Sequence, residues 1–255
     1  MKKFTLALAG NPNCGKTTLF NALTGARQRV GNWPGVTVER IEGNYRYRDH
    51  DYLIIDLPGI YSFSAYSFDE KVSREYILLE KPDLVVNIID ATNLERTLYL
   101  TTQLLEMKIP VVVALNMMDL VEQKKIRIEI EHLATHLDCP VIPIIAVKKA
   151  GLDKLLETIY EYVEKHHISS TRVFYDSVVE SALSRIIPEA EIYAEKKGVD
   201  SRWLAIKLLE ADSLAEQMTG NSLQDMLQAE MDKIRKHTNN EVDIVVADGR
   251  YGFIH

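Results

Sequence analysis

Gly10-Asn11-Pro12-Asn13-Cys14-Gly15-Lys16-Thr17 fits G-x-x-x-x-G-K-[ST], the spacing of a phosphate-binding loop. Its flanks fit too. Residues 4–9 read as a short apolar strand, and residues 17–23 as a helix with Leu19, Phe20 and Leu23 on one face. A strand feeding a glycine-bounded loop and a helix N-terminus makes an anion cradle. Backbone N–H groups converge there, and the helix dipole favours negative charge. The spacing lets Lys16 reach the β- and γ-phosphates of a nucleotide and gives Mg²⁺ the Thr17 hydroxyl, with Thr18 beside it.

Working outward, residues 38–48 and 52–56 read as two strands joined by a turn, and 84–90, 111–116 and 141–146 as apolar strands. Helical patterns cover 94–107, 126–137 and 152–166. This alternation predicts an α/β fold: a six-stranded, mostly parallel sheet covered on both faces, with the 38–56 pair as an antiparallel edge. Chemistry in such sheets sits beyond the carboxyl ends of the strands. A polar break at 168–171 separates a first domain, 1–170, from a second, 171–255, in which 175–237 shows only helical periodicity. Pro188 is expected to interrupt that periodicity and Gly198 to end a helix. Asp200 or Ser201, Asp212 or Ser213, and Asn221 or Ser222 are candidate caps. The tail 239–255 gives no assignment.

Motifs stand at the expected strand ends. Asp56-Leu57-Pro58-Gly59 is D-x-x-G. Asp56 can hold a water of the Mg²⁺ shell, and the Gly59 N–H can bond a γ-phosphate. Asn116-Met117-Met118-Asp119 is N-x-x-D. A carboxylate in the plane of guanine accepts its N1–H and 2-amino N–H, whereas adenine offers neither donor. A site built this way rejects the analogue that leaves its polar group unpaired. Asn116 is expected to bond the base and tie its loop to the phosphate loop, and the Met117 thioether to cover the base face. Before Gly151 stands Ile145-Ala146-Val147, where only Ala146 matches the usual Ser-Ala; its N–H can bond guanine O6. The segment 30–39 holds Gly31, Trp33, Gly35, Val36 and its single threonine, Thr37. Thr37 can supply a hydroxyl to Mg²⁺ and an N–H to the γ-phosphate. Two glycines, a proline and a tryptophan taken as exposed suggest a mobile loop.

In order and spacing these motifs match a Ras-like P-loop GTPase. The phosphate loop, Val30-Gly-Asn-Trp-Pro-Gly-Val-Thr-Val-Glu39, Asp56–Gly59 and Asn116–Asp119 resemble the bacterial ferrous iron transport protein B (FeoB) family, and the likeness covers the whole chain. The helical part resembles that family's small all-α spacer. Ala247-Asp-Gly-Arg-Tyr-Gly-Phe-Ile254 looks like the segment before its membrane region. The resemblance implies a soluble N-terminal piece of a longer protein, at the cytoplasmic face of the bacterial cell membrane. It implies GTP/GDP, Mg²⁺ and K⁺ as cofactors, with Asn13 and the carbonyls of Gly31 and Trp33 on K⁺. The implied partners are the chain's own C-terminal transmembrane iron-permeation region, small Feo accessory proteins and a homo-oligomer. Lys16, Thr37, Gly59 and Asn13 are then the catalytic set. Ile60 stands where Ras-like enzymes carry a water-orienting glutamine, which predicts slow hydrolysis.

Composition narrows the function classes. The 255 residues carry a net charge of −7. Residues 171–255 hold 10 basic and 15 acidic side chains, so the second domain is net −5. That lacks the basic footprint of a nucleic-acid binder and disfavours the alternative of a ribosome- or tRNA-maturation GTPase. A nucleotide-sensing module with negligible hydrolysis is the other alternative. Cys14 and Cys139 suggest a reducing compartment rather than a disulfide scaffold. A loop of N–H groups can lower a thiol pKa, but Cys14 beside bound phosphates is expected to stay inert. His132 and His136, four apart and near Glu129, are expected to be solvated side chains on a helix face.

Overall fold

The computed structural model describes residues 2–255 except 26–27, 34–35, 65–66 and 221. The strand before the phosphate loop is β1 (Lys2–Gly10), whose second half is wholly buried. Continuous burial of that kind belongs to an inner parallel strand. β1 pairs in parallel with β4 (His50–Asp56) on one side and with β5 (Leu84–Asp90) on the other. β5 is followed by β6 (Val111–Asn116) and the short β7 (Val141–Pro143), both parallel. β3 (Glu39–Tyr47) and β2 (Gln28–Asn32) form the antiparallel edge, giving the order β2-β3-β4-β1-β5-β6-β7. The sheet therefore has seven strands, not six. The additional strand, β2, is exposed at all five residues, so it carries no apolar run to betray it.

The molecule divides into two units: 1–105 with 109–171, and 106–108 with 172–255. In the first, α1 (Lys16–Thr24) and α6 (Leu152–Val163) share one core with the sheet, joining Leu19, Phe20, Leu155 and Ile159 to Leu8, Ile54, Val86 and Val112. Each such fully buried side chain contributes about 1.5–3 kcal/mol. The remaining helices are α2 (Phe68–Glu80), α3 (Leu94–Glu106), α4 (Met118–Gln123) and α5 (Ile130–Leu137). The helix expected over 126–137 is shorter, because Lys125 takes φ 54° after α4 and the chain re-enters a helix only at Ile130. α2 opens on a full capping box, in which the Ser67 hydroxyl accepts from the Glu70 N–H and Glu70 accepts from the Ser67 N–H.

The second unit holds α7 (Ser177–Lys197), α8 (Ser201–Leu209), α9 (Ser213–Thr219), α10 (Gln224–Thr238) and α11 (Val242–Ile254). Asp200 caps α8 and Asp212 caps α9, while Gly198 ends α7 with φ 63°. Pro188 lies inside α7 without ending it. Asn221 is outside the described residues, and α10 starts after Leu223 with no side-chain cap. The unassigned tail is α11. It carries Arg250, fully buried, whose guanidinium donates to Glu106 at 3.0 Å and to Glu210 at 2.7 Å. Tyr175 donates to the same Glu106, and Lys207 pairs with Glu210 at 2.9 Å. Among the described residues, no helix is long and apolar enough to cross a membrane.

Candidate nucleotide-binding site

The phosphate loop leaves β1 under tight steric control. A Cβ on Gly10 would stand 2.5 Å from the Ile88 carbonyl oxygen and 2.7 Å from the Cys14 sulfur. Gly15 has φ +93°, where an L side chain is strained, and a Cβ there would collide with the Asn116 amide. Asn13 turns the loop at φ 65°, a conformation asparagine tolerates better than most residues. Cys14 is buried, and burial pushes its thiol up to about 11, so it is a neutral packing group.

Lys16 donates to the Asp56 carboxylate at the end of β4. Burial pushes the Asp56 carboxyl above its ordinary range, against the opposing pull of the Lys16 ammonium. The chain after Asp56 is strapped to β1: Leu57 N–H donates to Leu8 O at 3.1 Å, and Ile60 N–H to Gly10 O at 3.2 Å. Gly59 lies so close to Pro12 that a Cβ would stand 3.3 Å from its backbone. Ile60 is buried. Beyond it the loop is gripped by α3, where Arg96 lies 4.2 Å over the Tyr61 ring and Gln103 accepts from the Phe63 N–H at 2.8 Å.

Asn116, at the end of β6, is buried and bridges two loops. Its amide donates to Cys14 O at 2.9 Å, and its side-chain oxygen accepts from the Ala146 N–H at 3.0 Å. Met117 stands at φ 66° and turns the chain into α4, so Asp119 sits in that helix's first turn. Asp119 Oδ1 accepts from Leu120 N–H at 3.2 Å and Oδ2 from Lys148 at 3.1 Å. That hydrogen bond and the lysine charge hold its carboxyl below the usual carboxylate range. Residues 146–148 form a 3₁₀ turn, so the expected strand over 141–146 stops at Pro143.

These loops enclose a pocket of about 710 Å³, within the size range of small-ligand sites. Asn13, Gly15, Lys16, Thr17 and Thr18 line it with Gly59 and Asp69, as do Asn116, Met117, Asp119, Ile145 and Val147. Asn11 also lines it and is buried, with neither side-chain polar atom partnered among the described residues. Such orphaned groups call for polar ligand atoms. Asp69 was missed in the sequence, although the Ser67-x-x-Glu70 capping signature around it is legible.

Gly31, Trp33, Val36 and Thr37 are not among the described residues lining the pocket. Gly31 lies in β2, Thr37 is exposed, and Gly35 is outside the described residues. Trp33 is buried rather than exposed: its ring meets Tyr76 edge-on at 5.2 Å, with the Arg40 guanidinium 5.0 Å above it. Its carbonyl accepts from Val36 N–H at 3.2 Å. His132 and His136 are exposed with parallel rings 6.4 Å apart, and the described residues contain no group of three metal-ligating side chains.

A family model described as ferrous iron transport protein B matches residues 4–159, and one described as the FeoB cytosolic helical domain matches 175–255. The Fe(2+) transporter FeoB of Escherichia coli strain K12 is 44% identical over 98% of this chain, and that of Salmonella typhimurium 41% identical over 98%. In both cases the match spans 32% of the transporter, so the chain spans about a third of the length of these relatives. Among solved structures, an S. thermophilus NFeoB mutant bound to GDP aligns with TM-score 0.87 and 39% identity, covering 100% of this chain and 98% of that one. The T. maritima FeoB cytosolic domain in a GDP form aligns with TM-score 0.85 and 32% identity, covering 100% and 96%. With a phosphate-loop sheet and a helical unit each matched by its own model, this chain belongs to the ferrous iron transport protein B family, as its G domain and cytosolic helical domain.

Proposed function

We propose that the chain binds and hydrolyses GTP, and that in the full-length protein this cycle regulates Fe²⁺ passage through an attached membrane region. The observation that carries the reading is the pair of hydrogen bonds made by Asn116, which join the phosphate loop to the 145–147 loop, with Asp119 lining the same pocket. Asp119 would accept the two guanine donors, with Met117 and Val147 against the base; the Ala146 N–H, held by Asn116, would reach O6 only by leaving that acceptor.

The donor set fits Mg²⁺, a hard cation that takes oxygen ligands. Thr17 Oγ1 and, through water, Asp56 would hold it, with Thr37 joining them when its loop closes. Bound there, Mg²⁺ would neutralise phosphate charge. Lys16, now on Asp56, would turn to the phosphates, and Gly59 N–H would hold the γ-phosphate. Asn13 lines the phosphate end, where a K⁺ ion would supply the charge that an arginine finger supplies elsewhere, an effect worth about 10³–10⁵ in rate. The carbonyls of Gly31 and Trp33 could join Asn13 only if the β2 segment left its place beside β3. Ile60 is buried and Tyr61 is held under Arg96, so neither side chain can orient the attacking water. Slow intrinsic hydrolysis follows, and the same feature supports the second reading, a nucleotide sensor that barely hydrolyses.

Calorimetry with GDP and ADP tests the site; equal affinity for both, or for neither, would reject it. Multiple-turnover phosphate release in K⁺ against Na⁺ separates hydrolysis from sensing. The wild type is expected to be faster in K⁺, and Asn13→Ala to lose that difference while still binding GDP.

A further inference from the structure

Ile145 places an alkyl side chain where GTPases commonly carry a serine hydroxyl beside the base-recognising carboxylate. Asp119 nevertheless has a side-chain partner. Lys148, three residues after Ile145, reaches back over the 3₁₀ turn and donates to Asp119 Oδ2 at 3.1 Å. The turn that aims it is itself fixed, because Lys148 N–H donates to Ile145 O at 3.0 Å and Ala146 N–H donates to Asn116 at 3.0 Å. Asp119 Oδ1 takes the Leu120 N–H on its other side. Each carboxylate oxygen accepts two hydrogen bonds, so with the Leu120 N–H on Oδ1 and Lys148 on Oδ2 among the described residues, each oxygen keeps an acceptor position for the base. Those are the two that guanine N1–H and its 2-amino group need.

We propose that Lys148 is a positioning residue for guanine recognition: its ammonium fixes the plane and charge of the Asp119 carboxylate without touching the nucleotide. The inference rests on the reading of this pocket as a guanine site. An alternative geometry, in which Lys148 competes with the base for Oδ2, makes the opposite prediction and is tested by the same experiment. The lysine side chain is 61% exposed and Asp119 only 20%. Removing the amine therefore leaves no buried group unpaired, and the variant is expected to fold.

The test is calorimetry on the intact chain with GDP, IDP, which lacks the 2-amino donor, and ADP, at low and high salt. Lys148→Met is expected to bind GDP about two- to fivefold more weakly, the range of one exposed charge pair. Its loss on IDP should be smaller, so the GDP-to-IDP preference narrows. High salt should shrink the difference between wild type and variant, because screening removes the pair from both. Lys148→Arg should restore most of the preference. Tighter GDP binding by Lys148→Met would establish competition and overturn the proposal. An unchanged GDP-to-IDP ratio would overturn it as well. If wild type itself binds no GDP, it is the guanine reading of the pocket that fails.

Discussion

Asn116 does two jobs at one position, and both are readable as hydrogen bonds. Its amide holds the carbonyl of the phosphate loop and its oxygen holds the N–H of Ala146. Replacing it with alanine would leave two buried backbone groups without partners, each costing about 1–3 kcal/mol. Asn116→Ala is therefore expected to lose about 2–5 kcal/mol of stability in a urea titration, and to lose GDP affinity even at temperatures where it stays folded. A variant as stable as wild type would show that the bridge is not needed. The residue types and their spacing were plain in the sequence. The partners were not, because Cys14 and Asn116 are brought together only by the pairing of β1 with β5 and β5 with β6. Lys148 is the sharper case. Nothing in its local sequence marks it, and only the path of the 3₁₀ turn carries it to Asp119.

At the level of elements, strands with apolar runs and helices with caps could be read off, and elements without them could not. β2 is exposed along its whole length, and α11 mixes Gly249, Gly252, Asp243, Asp248 and Arg250 among its apolar residues, which blurs its period. Pro188 should stop a helix by the local rule, yet α7 continues through it with Ile186 and Ala190 buried on either side. Tertiary packing outweighs the lost backbone bond there. The fully buried Arg250 on α11 sets up an electrostatic test. Burial alone would raise Glu210, but the Arg250 and Lys207 charges override it and hold this carboxyl at about 2. Its native value is thus depressed below the unfolded one, so its contribution is complete above the ordinary 4.5 and is lost as pH falls toward 2. In Arg250→Ala only Lys207 still opposes the burial effect, so the native value rises and the loss of stability toward low pH weakens. We expect the variant to be about 3–5 kcal/mol less stable at neutral pH. Thermal melts should show the variant losing less stability than wild type between pH 5 and pH 2. A variant with the wild-type pH profile would refute this account.

At the scale of the whole molecule, the helical unit is not one continuous stretch of chain. Residues 106–108, at the end of α3, group with residues 172–255. A fragment of residues 172–255 would lack Glu106, which accepts from both Arg250 and Tyr175. It is expected to be less stable than the helical unit of the intact chain, by about 1.5–3 kcal/mol for each hydrogen bond lost with that charged group, and so to melt at a lower temperature. Circular dichroism on the fragment checks this, and an unchanged melting temperature would show that the carboxylate of α3 is dispensable. The amino-acid sequence by itself determined the class of fold, the phosphate loop and the identity of the strand-end motifs. Local spacing and apolar periodicity encode those features, and they need no knowledge of distant partners. Only the tertiary structure decided that the sheet has a seventh strand, that Trp33 is buried against Tyr76 and Arg40, and that Lys148 pairs with Asp119. It also decided that Arg250 is neutralised by acids 144 and 40 residues away along the chain. Each of those outcomes depends on which surfaces meet when strands far apart in the chain lie side by side, a property that no short window of residues contains.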